Sequence, residues 1–307
     1  MKANKLIICA YHNLGCRCIE ELLRQGVEIA LIFTHEDSPT EEIWFDSVAD
    51  LAERHGIPCL KSDINAPENV ERLRDISPAF LFSFYYRNMI KPAVLGIPAH
   101  GALNLHGSYL PKYRGRVPVN WAVINGETET GATLHYMVDK PDAGDIVDQE
   151  KVEIAFTDTA LDVFHKVTAA AVAVVSRSWP LLREGKAGRV RMKLTEGSYF
   201  GGRKPEDGRI DWNRSAVEIY NLVRGVTHPY PGAFTHLDGK KVTVWSARPV
   251  DGQGKSGCIL SYSPMMVGTG SGLIEVISLQ IEGEEEIAAD QLVWNAEKQA
   301  SFDSCQE

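Results

Sequence analysis

Asn104 and His106 stand two residues apart at the end of a short apolar run, 102–105, and Asp142 follows the next such run in the loop Lys140-Pro141-Asp142-Ala143-Gly144. In an extended segment, residues two apart project from one face, so the amide and the imidazole would lie side by side. That pair suits a reaction that builds negative charge on oxygen, such as acyl transfer. The amide N–H can hydrogen-bond a developing oxyanion, and the imidazole can donate or shuttle a proton. A carboxylate against the imidazole would fix its tautomer and favour its charged form. Spacing alone leaves a structural reading standing, in which Asn104 caps a turn, His106 is a satisfied core histidine and Asp142 is a surface turn residue.

These residues need elements to hold them. Over the first 190 residues, apolar runs at 6–10, 29–33, 58–60, 79–84, 102–105 and 132–138 read as strands. Helical spacing at 16–25, 44–55, 67–76 and 117–125 alternates with them, and a long helix over 160–184 closes the pattern. Strands of nearly continuous apolar character that alternate with helices indicate a mostly parallel, Rossmann-like α/β sheet covered on both faces. Ligands bind outside the carboxyl ends of such strands. The polar residues there are Tyr11, His12 and Asn13, then Tyr85, Tyr86, Arg87 and Asn88, and the dense stretch His106 to Arg116. Three clusters far apart in sequence would converge on one edge. The Gly-, Pro- and charge-rich stretch 200–212 reads as a linker between a domain at 1–199 and a second at 213–307. Turn-punctuated strands in the second domain suggest a small antiparallel, OB-like barrel.

Composition narrows the function classes. The 307 residues carry a net charge of −9, which argues against a nucleic-acid-gripping protein, because phosphate neutralisation calls for a basic face. No run reaches the roughly 18 apolar residues of a membrane span, and the one after the N-terminal lysines is too short for a signal-peptide core. A cytoplasmic location is expected. The six cysteines form no CxxC pair and read as ordinary thiols, with no metal site. NAD binding is not expected, since the loop after the first strand, Ala10-Tyr11-His12-Asn13-Leu14-Gly15, has one glycine where a dinucleotide fold wants three. The glycine-rich 268–272 lies between strand patterns and reads as a hairpin turn.

The stretch Asn104-Leu105-His106-Gly107-Ser108-Tyr109-Leu110-Pro111-Lys112-Tyr113-Arg114-Gly115 is similar to the signature of the 10-formyltetrahydrofolate-dependent formyltransferases. It departs from that signature at Tyr109, where the family usually has leucine. Asp139-Lys140-Pro141-Asp142-Ala143-Gly144-Asp145-Ile146-Val147 resembles the family's second signature, and the likeness extends over nearly the whole chain. It implies catalytic roles for Asn104, His106 and Asp142, with no metal. It also implies a 10-formyltetrahydrofolate co-substrate held by Asn88, Met89, Ile90, Arg116, Val138, Asp139, Lys140 and Pro141.

Two acceptors compete within the family: the amine of UDP-4-amino-4-deoxy-L-arabinose, an amino-sugar nucleotide of lipid A modification and polymyxin resistance, and methionyl-tRNA. The first loop, the acidic segment Thr34 to Glu42, and the stretches Phe82 to Arg87 and Lys112 to Arg116 resemble the sugar-nucleotide members. Those members are often fused to a C-terminal NAD-dependent decarboxylase. A non-catalytic folate- or nucleotide-binding module is the remoter alternative.

Overall fold

The computed structural model of the chain describes residues 5–39, 42–292 and Phe302. Two compact units divide it, discontinuously in sequence: Met1–Pro118, Glu129–Glu153 and Phe164–Gly201 in one, and Val119–Thr128, Ile154–Val163 and Gly202–Glu307 in the other.

The first unit is built on a seven-stranded sheet. Along the chain come β1 (Leu6–Ala10), α1 (His12–Arg24), β2 (Ile29–Phe33), α2 (Val48–Arg54), β3 (Cys59–Leu60), α3 (Pro67–Ile76), β4 (Phe80–Phe84), α4 (Pro92–Leu95) and β5 (Ala102–His106). There follow β6 (Arg114–Gly115), α5 (Pro118–Ile124, part of the other unit from Val119 on), β7 (Glu129–Tyr136), β8 (Ile146–Glu153), α6 (Ala160–Arg183, part of this unit from Phe164 on) and β9 (Tyr199–Phe200). The sheet order is β3-β2-β1-β4-β5-β7-β8, while β6 and β9 pair as a separate ribbon. The first five strands in that order are parallel, and the β5–β7 and β7–β8 pairs are antiparallel.

Every residue of β1 and β4 is buried, as expected where both faces are covered. Ile7, Cys9, Leu31, Phe33 and Leu81 face one core, with Leu73 and Val94 packed over it. On the other face Phe80 and Phe82 meet Trp179 of α6 edge-on, at ring separations of 5.9 and 6.3 Å. Full burial of a Leu or Ile in such a layer contributes about 1.5–3 kcal/mol. Pro180 sits inside α6 and has no N–H to offer Ser176 O four residues earlier. Gln25 Nε2 donates to that carbonyl instead, at 3.1 Å.

Among the elements that differ from the sequence expectation are α1, α2 and β8. α1 starts at His12 rather than at residue 16, with His12 itself at φ 68°. α2 starts at Val48, where Ser47 accepts from Asp50 N, and not at Trp44. Trp44 and Phe45 lie before the helix and put their rings on His12. β8 has no counterpart in the sequence reading, because its Asp, Gln, Glu and Lys residues hide the alternation. Its acids are spent on α6, where Arg177 pairs with Asp148 and Glu150.

The second unit carries a six-stranded antiparallel sheet of β10 (Ala233–Leu237), β11 (Lys240–Val250), β12 (Ile259–Tyr262), β13 (Met265–Gly268), β14 (Leu273–Ile281) and β15 (Glu286–Ala288). α7 (Ala216–Val226) opens on a reciprocal Ser215–Glu218 capping box. The stretch 200–212 delivers Ile210 and Trp212 into this unit's core, where Trp212 stacks on Phe302 at 5.1 Å and donates to Thr235 Oγ1. Residues 268–272 make the β13–β14 turn, as the sequence suggests.

Cys258 is disulfide-bonded, against the expectation of ordinary thiols, since disulfide pairing cannot be read from spacing. Cys305 lies outside the described residues, as do Thr40, Glu41 and most of the chain beyond 292. Among the described residues, no helix is long and apolar enough to cross a membrane, and no group of three or more metal-binding side chains occurs.

Candidate active site

The site forms at the end of β5, in the first unit. Asn104 and His106 project from one face of that strand, and the antiparallel register sets His135 of β7 directly opposite Asn104. The loop after β7 then folds back on the sheet. Gly144 makes this possible, because a Cβ there would lie 1.9 Å from Tyr136 O. The return brings in Asp142, which adopts φ 45°, a conformation Asp tolerates better than most residues.

Three side chains converge on one oxygen of Asp142. Its Oδ1 lies 3.4 Å from Asn104 Nδ2, 3.7 Å from His106 Nδ1 and 3.5 Å from His135 Nε2. Its Oδ2 accepts from Gly115 N at 2.9 Å. Burial pushes the Asp142 carboxyl up, but the imidazoles of His106 and His135 and the Gly115 N–H outweigh it and hold it well below the usual carboxylate range. Asp142 is an anion at any physiological pH.

The hydrogen bonds settle which atoms carry protons. His106 Nε2 lies 2.8 Å from Tyr113 O, and a carbonyl only accepts, so Nε2 bears a hydrogen and Nδ1 is the nitrogen that can take a second one. His135 Nδ1 faces Tyr136 O at 2.9 Å by the same logic, which leaves Nε2 facing Asn104 Nδ2 at 3.3 Å. Asp142 Oδ1 can only accept, which turns the Asn104 amide nitrogen toward it, while His135 Nε2 accepts from that nitrogen when bare and donates to Asp142 Oδ1 when protonated. The contacts at 3.3–3.4 Å are long for hydrogen bonds and can be exchanged for contacts with a substrate.

The loop 107–116 is tied down on several sides. Thr133 Oγ1 donates to Ser108 O at 2.7 Å and accepts from Leu110 N, while Gln149 Nε2 donates to Leu110 O. The segment 194–200 straps it from outside. Ser198 Oγ accepts from Tyr113 N at 2.9 Å, Ser198 O from Arg114 N, and Phe200 O from Arg116 N. Tyr113 stacks on Phe200 with ring centroids 5.0 Å apart.

The other two polar clusters reach the same edge. His12 is buried and stacked on Phe45 at 4.0 Å, and burial with the charge of Arg87 pushes its pKa down to about 3, so it is neutral. Tyr11 donates to Asp37 at 2.6 Å under the guanidinium of Arg87, 4.5 Å from its ring centre. Tyr85 lies against Gly107, where a Cβ would come 2.8 Å from its hydroxyl. Arg116 Nη2 donates to Arg87 O at 3.3 Å. Among the residues the resemblance assigns to folate, Asn88, Met89, Arg116, Val138, Asp139 and Lys140 are exposed and Pro141 is half-buried. Ile90 belongs to the core, which leaves only its backbone free to meet a ligand.

Sequence reasoning missed His135. It lies inside the expected strand 132–138, and only the β5–β7 register reveals that it opposes Asn104.

Two family models match the chain: Formyl transferase over residues 9–178 and Formyl transferase, C-terminal domain, over residues 203–296. Among solved structures, an N-formyltransferase from Helicobacter canadensis in complex with folinic acid and dTDP-3-aminofucose is similar at TM-score 0.72 and 18% identity. That match covers 88% of this chain and 98% of the other. WlaRD, a sugar 3N-formyl transferase with dTDP and 5-N-formyl-THF, matches at TM-score 0.71 and 17% identity, over 93% of this chain and 100% of its own. HypX from Aquifex aeolicus in complex with tetrahydrofolic acid matches at TM-score 0.64 and 18% identity, over 92% of this chain and 46% of its own. At these identities the likeness establishes the fold.

Proposed function

From a chain that belongs to the formyl transferase family, we propose an enzyme that moves a formyl group from 10-formyltetrahydrofolate to the primary amine of a nucleotide-linked amino sugar. The observation that carries this reading is the convergence of Asn104, His106 and His135 on one oxygen of Asp142. The amine lone pair attacks the formyl carbon, and the carbonyl π pair moves onto oxygen. The Asn104 amide is placed to bond that oxyanion by exchanging one of its long contacts. His106 Nδ1 takes the proton the amine loses, and Asp142 stabilises the imidazolium. When the bond to N10 breaks, the same proton goes to the departing tetrahydrofolate nitrogen, so the enzyme ends in its starting state. Asn88, Met89, the Ile90 backbone, Arg116 and the stretch Val138 to Pro141 are proposed to hold the folate.

The acceptor proposed is UDP-4-amino-4-deoxy-L-arabinose, with a role in lipid A modification and polymyxin resistance. The support is the acidic segment 34–42, the net charge of −9 and the Tyr11-His12-Asn13 loop. Two of the structurally similar proteins hold dTDP or a dTDP-sugar, which supports the sugar-nucleotide class. The test is to supply 10-formyltetrahydrofolate with UDP-4-amino-4-deoxy-L-arabinose, dTDP-3-aminofucose or methionyl-tRNA in turn, and to follow tetrahydrofolate release. Turnover with the arabinose nucleotide alone is expected. Turnover with dTDP-3-aminofucose alone would move the acceptor within the sugar class, and turnover with the tRNA alone would overturn it.

A further inference from the structure

The geometry at His106 depends on a segment that supplies no group to the proposed reaction. Residues 190–200 are tied at one end by a bridge between Val190 and Ile146, which exchange backbone hydrogen bonds of 2.8 Å in both directions. Met192 and Leu194 then pack with Leu110 and Ile146, and β9 ends the segment alongside β6. One end of this strap therefore holds the strand that follows the Asp142 loop, and the other end holds the loop that follows His106. Gly197 lets the two backbones touch, because a Cβ there would lie 2.0 Å from Pro111 O. The residue after that close approach is Ser198.

Ser198 holds both peptides that flank the Tyr113 Cα. Its hydroxyl oxygen accepts from Tyr113 N at 2.9 Å, and its carbonyl accepts from Arg114 N at 3.1 Å. The first bond constrains φ of Tyr113 and the second its ψ. The result is φ 56°, which a tyrosine rarely adopts unless it is held. The N–H and C=O of a trans peptide point in opposite directions. With Arg114 N turned to the strap, Tyr113 O is turned the other way, where it meets His106 Nε2 at 2.8 Å.

We propose that Ser198 is a positioning residue for the formyl transfer, and that it acts through the Tyr113 carbonyl to keep His106 in the tautomer that can accept the amine's proton. This rests on the reaction proposed above. Neutral His106 has one ring proton, for which two acceptors compete. Tyr113 O stands beside Nε2, and the Asp142 carboxylate lies 3.7 Å from Nδ1. A carboxylate draws a proton more strongly than a carbonyl does, so it is the short bond to Tyr113 O that keeps the proton on Nε2. A proton on Nδ1 would occupy the lone pair that must take the proton from the amine. Without the Ser198 hydroxyl, the N–H of the buried Tyr113 loses its acceptor. Tyr113 then relaxes from its strained φ, and its carbonyl moves away from His106.

The test compares Ser198→Ala with Ser198→Thr, which keeps the hydroxyl, in the full chain. Two-bond ¹H–¹⁵N histidine spectra at alkaline pH report the tautomer without substrate, and His106→Gln assigns the His106 signals. The Nε2–H form is expected in the unsubstituted protein and in Ser198→Thr, and a mixture with the Nδ1–H form in Ser198→Ala. A wrong tautomer costs an acid–base histidine up to about 10⁴ in kcat, so a mixture should lower it about ten- to a hundredfold in Ser198→Ala. KM for both substrates should stay unchanged, and Ser198→Thr should stay within about twofold of the original kcat. A packing role alone would lower the melting temperature of Ser198→Ala and leave the spectrum unchanged. An unchanged His106 tautomer in Ser198→Ala, or a fall in kcat that Ser198→Thr shares, would overturn the proposal. If the unsubstituted protein moved no formyl group, the proposed reaction would fall, and the spectra would still decide whether Ser198 sets the tautomer.

Discussion

Replacing Asp142 by Asn tests the proposed roles of three residues at once. The change keeps the side-chain shape and leaves an oxygen to accept from Gly115 N, so the loop keeps its anchor. It removes the negative charge 3.7 Å from His106 Nδ1. At that separation a unit charge pair is worth about 1 kcal/mol with water-like screening and about 4 kcal/mol at the effective dielectric of a partly buried site. Asp142 is 13% exposed, which places it toward the upper part of that range. If His106 is charged in the transition state, that loss of stabilisation lowers kcat by about ten- to a thousandfold, with KM for both substrates little changed. The assay is single-turnover formyl transfer at saturating substrates, read as tetrahydrofolate formed. A variant within twofold of the original kcat would refute the claim that Asp142 stabilises a charged His106.

The same substitution has a stability signature whose sign follows from the lowered Asp142 pKa. A carboxyl depressed in the folded state stabilises the fold above its unfolded value, about 3.9, and that contribution disappears as the pH falls through the folded value. The original protein should therefore lose thermal stability on acidification below about pH 4 more steeply than Asp142→Asn. Melting curves over this range check it, and parallel slopes would show that the carboxyl is not held low.

Other substitutions separate the remaining roles. Asn104→Ala should lower kcat by about 10²–10³ in the same assay while the melting temperature stays close to the original, because Asn104 is only half-buried. His135→Phe removes the donor to Tyr136 O and the ring nitrogen that faces the Asn104 amide. It should cost about 1–3 kcal/mol in denaturant unfolding and lower kcat about tenfold; an unchanged kcat would restrict His135 to a structural role. Val117 is β-branched, 41% exposed and at φ 46°, so Val117→Gly should leave the melting temperature unchanged or raise it, against the usual penalty of about 1 kcal/mol for glycine.

What could be read from the sequence was whatever depends on local chemistry. α3 occupies the expected residues, Pro67–Ile76, because Pro67 at its first turn and the apolar spacing agree on its start. β1, β2, β4 and β5 fall within a residue of their apolar runs, since burial on both faces leaves little room for polar residues. That Asn104, His106 and Asp142 would meet was expected from signature and spacing together, and the three side chains do lie together. β8 was not expected, because an edge strand that spends its acids on a helix looks like a loop in one dimension. Nor was the start of α1, where His12 enters the helix at positive φ under three aromatic rings contributed by residues 44, 45 and 164. His135 was hidden for another reason: a histidine in a strand says nothing until its partner across the sheet is known.

Of the six described non-glycine residues at positive φ in the first unit, three lie on the two segments that meet at the site. Tyr113, Val117 and Asp142 all have positive φ, at 56°, 46° and 45°, and Gly115 lies between the first two at 102°. Non-glycine residues in that region cost about 1–3 kcal/mol each, so something must over-determine them. Tyr113 is held by the Ser198 hydroxyl and by stacking on Phe200. Gly115 must be glycine on two counts, its φ and the 2.0 Å approach a Cβ would make to Phe200 O. Two bonds result from this arrangement. Tyr113 O meets His106 Nε2, which fixes the tautomer, and Gly115 N meets Asp142 Oδ2, which turns the other carboxylate oxygen toward Asn104, His106 and His135. A relaxed loop would satisfy its own backbone and leave both side chains to find their own orientation. The strain thus falls where it sets the proton on the imidazole and the aim of the carboxylate, the two features the proposed formyl transfer depends on.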